Sequence, residues 1–232
     1  MSIHDGHRQR MRERFDKHGL DSFSEHEILE LLLYYCIPRS NTNAVAHRLI
    51  QRFGSLVQVM EATAEELQEV EGIGASSALF LSLLQQTYRR MNISTAKKNI
   101  SLAKPEQYSR YLREFFFGRQ NEVVYLVCLD AKGTLIDCYE ICEGGVHTAN
   151  VPMRKIIDIA IRCKAVTVIL AHNHPGGLAL PSYEDVQTTR RLAKALYSAE
   201  VILMDHVIVA GKDYLSMRRS GEYDIDEVLS EV

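Results

Sequence analysis

The sequence predicts a two-domain α+β protein, in which an all-helical amino-terminal domain precedes a three-layer α/β domain with a mixed sheet. Three observations lead there. Up to residue 91 the apolar residues recur at helical spacing between cap signals, with no strand pattern among them. The stretch from Arg89 to Lys104, RRMNISTAKKNISLAK, then loses that periodicity and gains Asn, Ser, Thr and Lys, the composition of a linker. From Pro105 onward, helical patterns alternate with continuous apolar runs that read as buried strands. The expected boundaries are 1–91 for the helical domain, 92–104 for the linker and 105–232 for the α/β domain.

In the first helix His7, Arg10, Arg14 and Lys17 share one face, while Met11 and Phe15 share another. The basic face reads either as a phosphate-facing stripe or as a solvated helix surface. Gly19 closes this helix. The next opens on a capping box, Ser24 with Glu27, and a staple, Phe23 with Ile28. Its apolar body, residues 28–35, belongs to a core, and Pro38 ends it. A third helix is expected over residues 43–53 with Gly54 at its end. A second capping box, Thr63 with Glu66, begins a short helix that runs into Val70.

Residues 67–79, LQEVEGIGASSAL, form a helix, a Gly-Ile-Gly turn and a second helix, which resembles the helix-hairpin-helix motif of DNA-binding proteins. Gly72 and Gly74 would let a phosphate approach the backbone N–H groups at the second helix's start. Such contacts hold the nucleic-acid backbone and read no sequence. A packing hairpin satisfies the same residues. Ala75, Ser76 and Ser77 add no positive charge, and residues 1–91 carry 10 Lys and Arg against 12 Asp and Glu. Any DNA affinity, with Arg10, Arg14 and Lys17 as the basic contacts, is therefore expected to be weak and independent of sequence.

In the second domain, residues 106–117 read as a helix and residues 122–130, EVVYLVCLD, as a buried strand. Ala131-Lys132-Gly133 turns the chain into a return strand, residues 134–142, stopped by Gly144-Gly145. Residues 151–163 form a helix with Ile156, Ile157, Ala160 and Ile161 inward. The run 166–171, VTVILA, is a strand, residues 183–198 a helix, and residues 201–210, VILMDHVIVA, another buried strand.

Composition narrows the function classes. Hydrophobic residues make up 46% of the 232, enough for real cores, and a net charge of −3 gives no global pull towards nucleic acid or anionic membrane. No apolar run approaches the roughly 18 residues of a membrane span, and the first residues lack the apolar centre of a signal peptide. The five cysteines, Cys36, Cys128, Cys138, Cys142 and Cys163, are scattered in apolar surroundings and read as reduced residues of a cytoplasmic protein.

The informative stretch is His172 to Asp185, HNHPGGLALPSYED. Side chains alternate along a strand, so His172 and His174 leave its end on the same side. Pro175-Gly176-Gly177 turns the chain, and Ser182 caps the helix whose first turn carries Asp185. Two imidazoles and one carboxylate thus converge, leaving a fourth position open, which is the pattern of a catalytic zinc site. Ser182 and Asp185 also satisfy a capping box, a role compatible with ligation. Asp205-His206 offers either an orienting contact to a ligand or a satisfied strand histidine.

His-x-His, seven residues, then Ser-x-x-Asp resembles the JAMM (MPN+) motif of zinc metalloproteases. HNHPGG, PS-x-ED, the DHVIV strand, the early Arg-rich helix, ELLLYY and VEGIG together resemble the RadC family of bacterial JAMM-domain proteins over nearly the full length. The resemblance implies an MPN domain of cytidine-deaminase-like architecture and one Zn²⁺ per chain held by His172, His174 and Asp185. It also implies an oxyanion contact from Ser182 and a general base on the preceding strand. Glu140 fills that last role by its place before Gly144-Gly145, with Glu143 as the alternative. The implied activity is hydrolysis of a peptide or isopeptide bond in a peptide or protein substrate. The alternative is a non-catalytic, repair-linked DNA-associated module with a structural or vestigial metal. This chain departs from the family at Gly176-Gly177, where a Ser is usual, and at Met153-Arg154-Lys155, where Pro-Arg-Glu is usual. A nuclease of the HNH type spreads its three residues through a ββα unit, and a zinc deaminase needs His-x-Glu with Pro-Cys-x-x-Cys; neither pattern is here.

Overall fold

The computed structural model describes residues 3–38, 40–95, 100–144 and 151–230. It divides into two compact units, Met1–Arg90 and Met91–Val232.

The first unit is helical. Helix α1, Ile3–His18, packs through Met11 against Phe23, Leu31 and Tyr34. Helix α2, Glu25–Leu33, begins on the Ser24–Glu27 capping box, and Glu27 also receives the Arg14 guanidinium at 2.8 Å. Asn41 caps α3, Thr42–Phe53, and Gly54 ends it in a positive-φ conformation. The short α4, Leu56–Glu61, is a helix that the apolar pattern did not announce. Helix α5, Ala64–Gln68, starts on the Thr63–Glu66 box and leads through the Gly72 turn into α6, Ala75–Thr95. Leu29, Leu33, Val45, Leu49, Val59, Leu67 and Leu81 fill the core between them.

The second unit is a five-stranded sheet between helical layers. Strands β1, Val123–Leu129, β2, Leu135–Glu143, β3, Thr167–Asn173, β4, Ile202–Ala210, and β5, Asp213–Ser216, lie in the order β2-β1-β3-β4-β5. Only β3 and β4 run parallel; the other neighbours are antiparallel, so the sheet is mixed. Helix α7, Pro105–Phe116, covers one face through Tyr108, Leu112, Phe115 and Phe116. Helices α8, Met153–Arg162, and α9, Tyr183–Tyr197, cover the other, joined by the short α10, Met217–Ser220, and α11, Ile225–Ser230. Burial on both faces explains why β1 and β3 read as unbroken apolar runs.

Two boundaries differ from the sequence pattern. Helical structure in α6 reaches Thr95, and residues 100–102 already pair beside the start of β2, where Leu102 is buried in the sheet's core. Residues 96–99 of the expected linker and Gly145 of the expected strand stop lie outside the described residues. Strand β3 extends two residues past Ala171, so His172 and Asn173 belong to the sheet itself. No helix among the described residues is long and apolar enough to cross a membrane.

Candidate metal centre

His172 pairs in the sheet with Val124 of β1 and Ile208 of β4, which places its ring on the α8–α9 face and fully buried. Asn173, on the opposite face, pins the neighbouring strand by accepting from Val123 N at 2.7 Å and donating to Asn121 O. His174 continues the line, its N–H bonded to Val209 O. The chain then turns at Pro175-Gly176, with Gly176 at φ +66°. A Cβ on Gly177 would stand 3.3 Å from that of His174, a close approach that keeps this corner small. Ser182 caps α9, accepting from Asp185 N, while Asp185 Oδ2 accepts from both the N–H and the O–H of Ser182 at 2.8 Å. The capping box holds the carboxylate against the two rings.

His172, His174 and Asp185 each bring a ligand atom to within 4.8 Å of the others, forming a candidate metal group. The surrounding hydrogen bonds decide which atoms those are. His174 Nδ1 lies 2.9 Å from Leu178 O; a carbonyl only accepts, so Nδ1 carries a proton and Nε2 is the nitrogen turned towards His172. Thr189 Oγ1 stands 2.6 Å from both Asp185 O and His206 Nδ1. Its proton goes to the carbonyl, so it accepts from His206 Nδ1–H. Burial holds the His206 imidazolium far below the ordinary histidine range, with His172 and His174 adding to the effect, so this ring is neutral and its Nε2 is an acceptor. That nitrogen accepts from His172 Nδ1 at 2.8 Å, which turns His172 Nε2 towards His174 and Asp185.

The two imidazoles thus face each other, Nε2 to Nε2 at 2.9 Å, with Asp185 Oδ1 3.4 Å from the first. Asp185 is 0% exposed, and Oδ1 is a buried oxygen without a hydrogen-bond partner. Two imidazole nitrogens and a buried carboxylate oxygen that lacks a hydrogen bond converge on one point, an arrangement that a cation among them would satisfy. The residues therefore fit a metal ion.

Glu140 and Glu143 stand elsewhere. Strand β2 carries an irregularity at Ile141, which faces the α8–α9 core together with its neighbour Cys142. As a result Glu140 pairs with Tyr125 and Glu143 with Val123, both of which belong to the α7 face. Glu140 accepts from Tyr125 OH at 2.9 Å and pairs with Arg119, and Glu143 accepts from Asn121 Nδ2. The expected base is thus not gathered with the triad, because one extra strand residue turns it to the other side of the sheet. Asp205 also faces α7. It accepts from Tyr108 OH, Ser216 Oγ and the N–H groups of His206 and Arg218, tying β4 to its neighbours.

In the helical unit the expected basic stripe is partly engaged in internal contacts. His7 Nε2 bonds buried Glu30 at 3.0 Å, and Arg14 is held by Glu27 and Ser22 O. Lys17 and Arg10 are exposed. The hairpin turn has Gly72 at φ +96°, packed so closely on α3 that a Cβ there would meet Val45 Cγ2 at 2.7 Å; a Cβ on Gly74 would meet nothing within 4 Å, and the Gly74 N–H donates to Ser77 Oγ. Arg48, which no sequence motif singled out, donates to Glu71 O and brings a cation beside this turn.

Comparison with known proteins agrees with this architecture. Residues 102–222 match the RadC-like JAB domain, and residues 6–79 match the UPF0758 N-terminal region. A UPF0758 protein of Fusobacterium nucleatum is 34% identical over 223 residues, covering 93% of this chain and 96% of that protein. One from Bordetella parapertussis is 36% identical over 210 residues, covering 90% and 93%. One from Neisseria meningitidis is 33% identical over 214 residues, covering 92% and 95%.

Proposed function

Because this chain belongs to the RadC-like JAB domain family, with its UPF0758 N-terminal region, we propose that it is a zinc metallopeptidase hydrolysing a peptide or isopeptide bond. The observation that carries the reading is Asp185 Oδ1, buried without a hydrogen bond beside two imidazole nitrogens. Two nitrogens and one carboxylate oxygen suit zinc, one per chain, with a coordination position left for substrate chemistry. Zinc bound there supplies a Lewis acid that makes water nucleophilic near neutral pH and polarises a carbonyl.

The chain's own residues supply the rest. Ser182 Oγ rests its proton on Asp185 Oδ2. Turning that O–H towards a developing oxyanion removes one contact from Asp185 and leaves the Ser182 N–H in place, so the carboxylate stays anchored during the exchange. We assign proton acceptance to Glu140 on the family resemblance. For Glu140 to reach the triad, the extra residue at Ile141 has to be absorbed, which pairs Glu140 with Leu126 on the α8–α9 face, and Arg119 has to release it. The five free cysteines fit a cytoplasmic setting.

The test is incubation of zinc-loaded protein with a mixed peptide and isopeptide library, read by mass spectrometry. Cleavage abolished by chelation and restored by zinc is expected; a zinc-replete protein that cleaves nothing overturns the peptidase reading.

A second reading is favoured by Arg48 beside the Gly72 turn: the hairpin contacts DNA phosphates without reading sequence. It concerns the helical unit and stands beside the first.

A further inference from the structure

We infer that Thr189 and His206 are positioning residues of the metal centre, acting together to set the proton on His172. This rests on the zinc reading above. Asp185 O, Thr189 Oγ1, His206 and His172 form a continuous chain with links of 2.6, 2.6 and 2.8 Å, and it begins and ends on two of the three candidate ligands. All four residues are fully buried, so no solvent water replaces a missing link.

The direction of the chain is fixed at one end. The Asp185 carbonyl has no proton to give, so Thr189 must donate to it; the alternative acceptor, Met217 Sδ at 3.8 Å, is farther and weaker. In the reverse arrangement Thr189 donates to His206, and two oxygen acceptors stand 2.6 Å apart with no proton between them. His206 would then donate from Nε2, and His172 would carry its proton on the very nitrogen that faces His174. With Thr189 accepting from His206 Nδ1–H, His206 Nε2 is left to accept from His172 Nδ1–H, and His172 Nε2 is the nitrogen presented to the metal. The first turn of α9 thus supplies a ligand, and its second turn sets the tautomer of another ligand across the sheet.

The test compares Thr189→Val, which keeps the shape and removes the hydroxyl, with Thr189→Ser, which keeps the hydroxyl. Zinc affinity is read by chelator competition and the His172 tautomer by long-range ¹H–¹⁵N correlation in the metal-free protein. Thr189→Val is expected to lose about 10–100-fold in zinc affinity and to redistribute the His172 proton, leaving His174 as it was. Thr189→Ser is expected to behave as wild type. His206→Gln serves as a second variant, with weakened affinity expected. Wild-type zinc affinity and an unchanged His172 tautomer in folded Thr189→Val overturn the inference alone. Equal loss in Thr189→Ser and Thr189→Val does the same, since it shows a packing effect. A wild-type protein that binds no zinc overturns the metal reading itself and this inference with it.

Discussion

Asp185 divides its two carboxylate oxygens between two tasks: Oδ2 is held by the N–H and O–H of Ser182, and Oδ1 faces His172 Nε2 at 3.4 Å. One residue therefore joins the start of α9 to the strand ligand. Ser182→Ala should separate these tasks. Loss of the N-cap is expected to cost about 0.5–2 kcal/mol by thermal or denaturant unfolding. Zinc should still bind, while peptide hydrolysis should fall because the oxyanion contact is gone. Loss of zinc as well would show that the cap, and not the ligand itself, determines binding.

Glu140 and Glu143 are expected to divide differently. Neither touches the triad, so Glu140→Gln and Glu143→Gln should each retain wild-type zinc content, measured by elemental analysis. Their ion pairs with Arg119 are partly solvated, and stability should change by no more than about 1 kcal/mol. With Glu140 as the general base, Glu140→Gln should lose about 10²–10⁴-fold in hydrolysis and Glu143→Gln should keep most of it. The opposite ranking would move the role to Glu143.

The helical unit should carry an acid-sensitive contact. Glu27 accepts from Arg14 and from Ser24, and these bonds lower its pKa to about 2, the Arg14 bond being the larger cause. A carboxylate depressed in the folded state gives stability that is present above its ordinary pKa, near 4.5, and is lost as pH falls towards about 2. Melting curves from pH 7 to pH 2 should show wild type and Glu27→Gln converging through that window. A constant difference at all pH values would contradict the ion pair.

Duplex DNA should bind weakly if the hairpin contacts phosphates. Retention is expected to be indifferent to sequence, to fall steeply with salt, and to drop further in Arg48→Ala. Gel shifts across a salt series would check this; binding that resists salt and survives Arg48→Ala would exclude the hairpin as the contact.

The triad was legible because its residues sit within one short stretch, where strand alternation and a helix cap set the geometry locally. His172, His174, Ser182 and Asp185 needed only that spacing. The two-layer covering of the sheet was legible for a similar reason, since β1 and residues 168–171 of β3 form continuous apolar runs. Thr189 and His206 were harder, because His206 reaches His172 only once β4 pairs with β3, and Thr189 reaches His206 only once α9 packs on β4; a buried strand histidine looks the same in sequence whether it orients a ligand or fills space. The face chosen by Glu140 was not legible at all. It depends on one extra residue at Ile141, and an apolar residue beside Cys142 does not announce a bulge. The short helices α4 and α10 lack the length over which helical periodicity shows.

The most direct test of the central claim is zinc content by elemental analysis of the purified protein and of Asp185→Asn, before and after reconstitution. The metal centre described here predicts about one zinc per chain in the wild type and loss of it in the variant. A wild-type protein that holds no zinc after reconstitution, or an Asp185→Asn protein that holds as much as wild type, would contradict it.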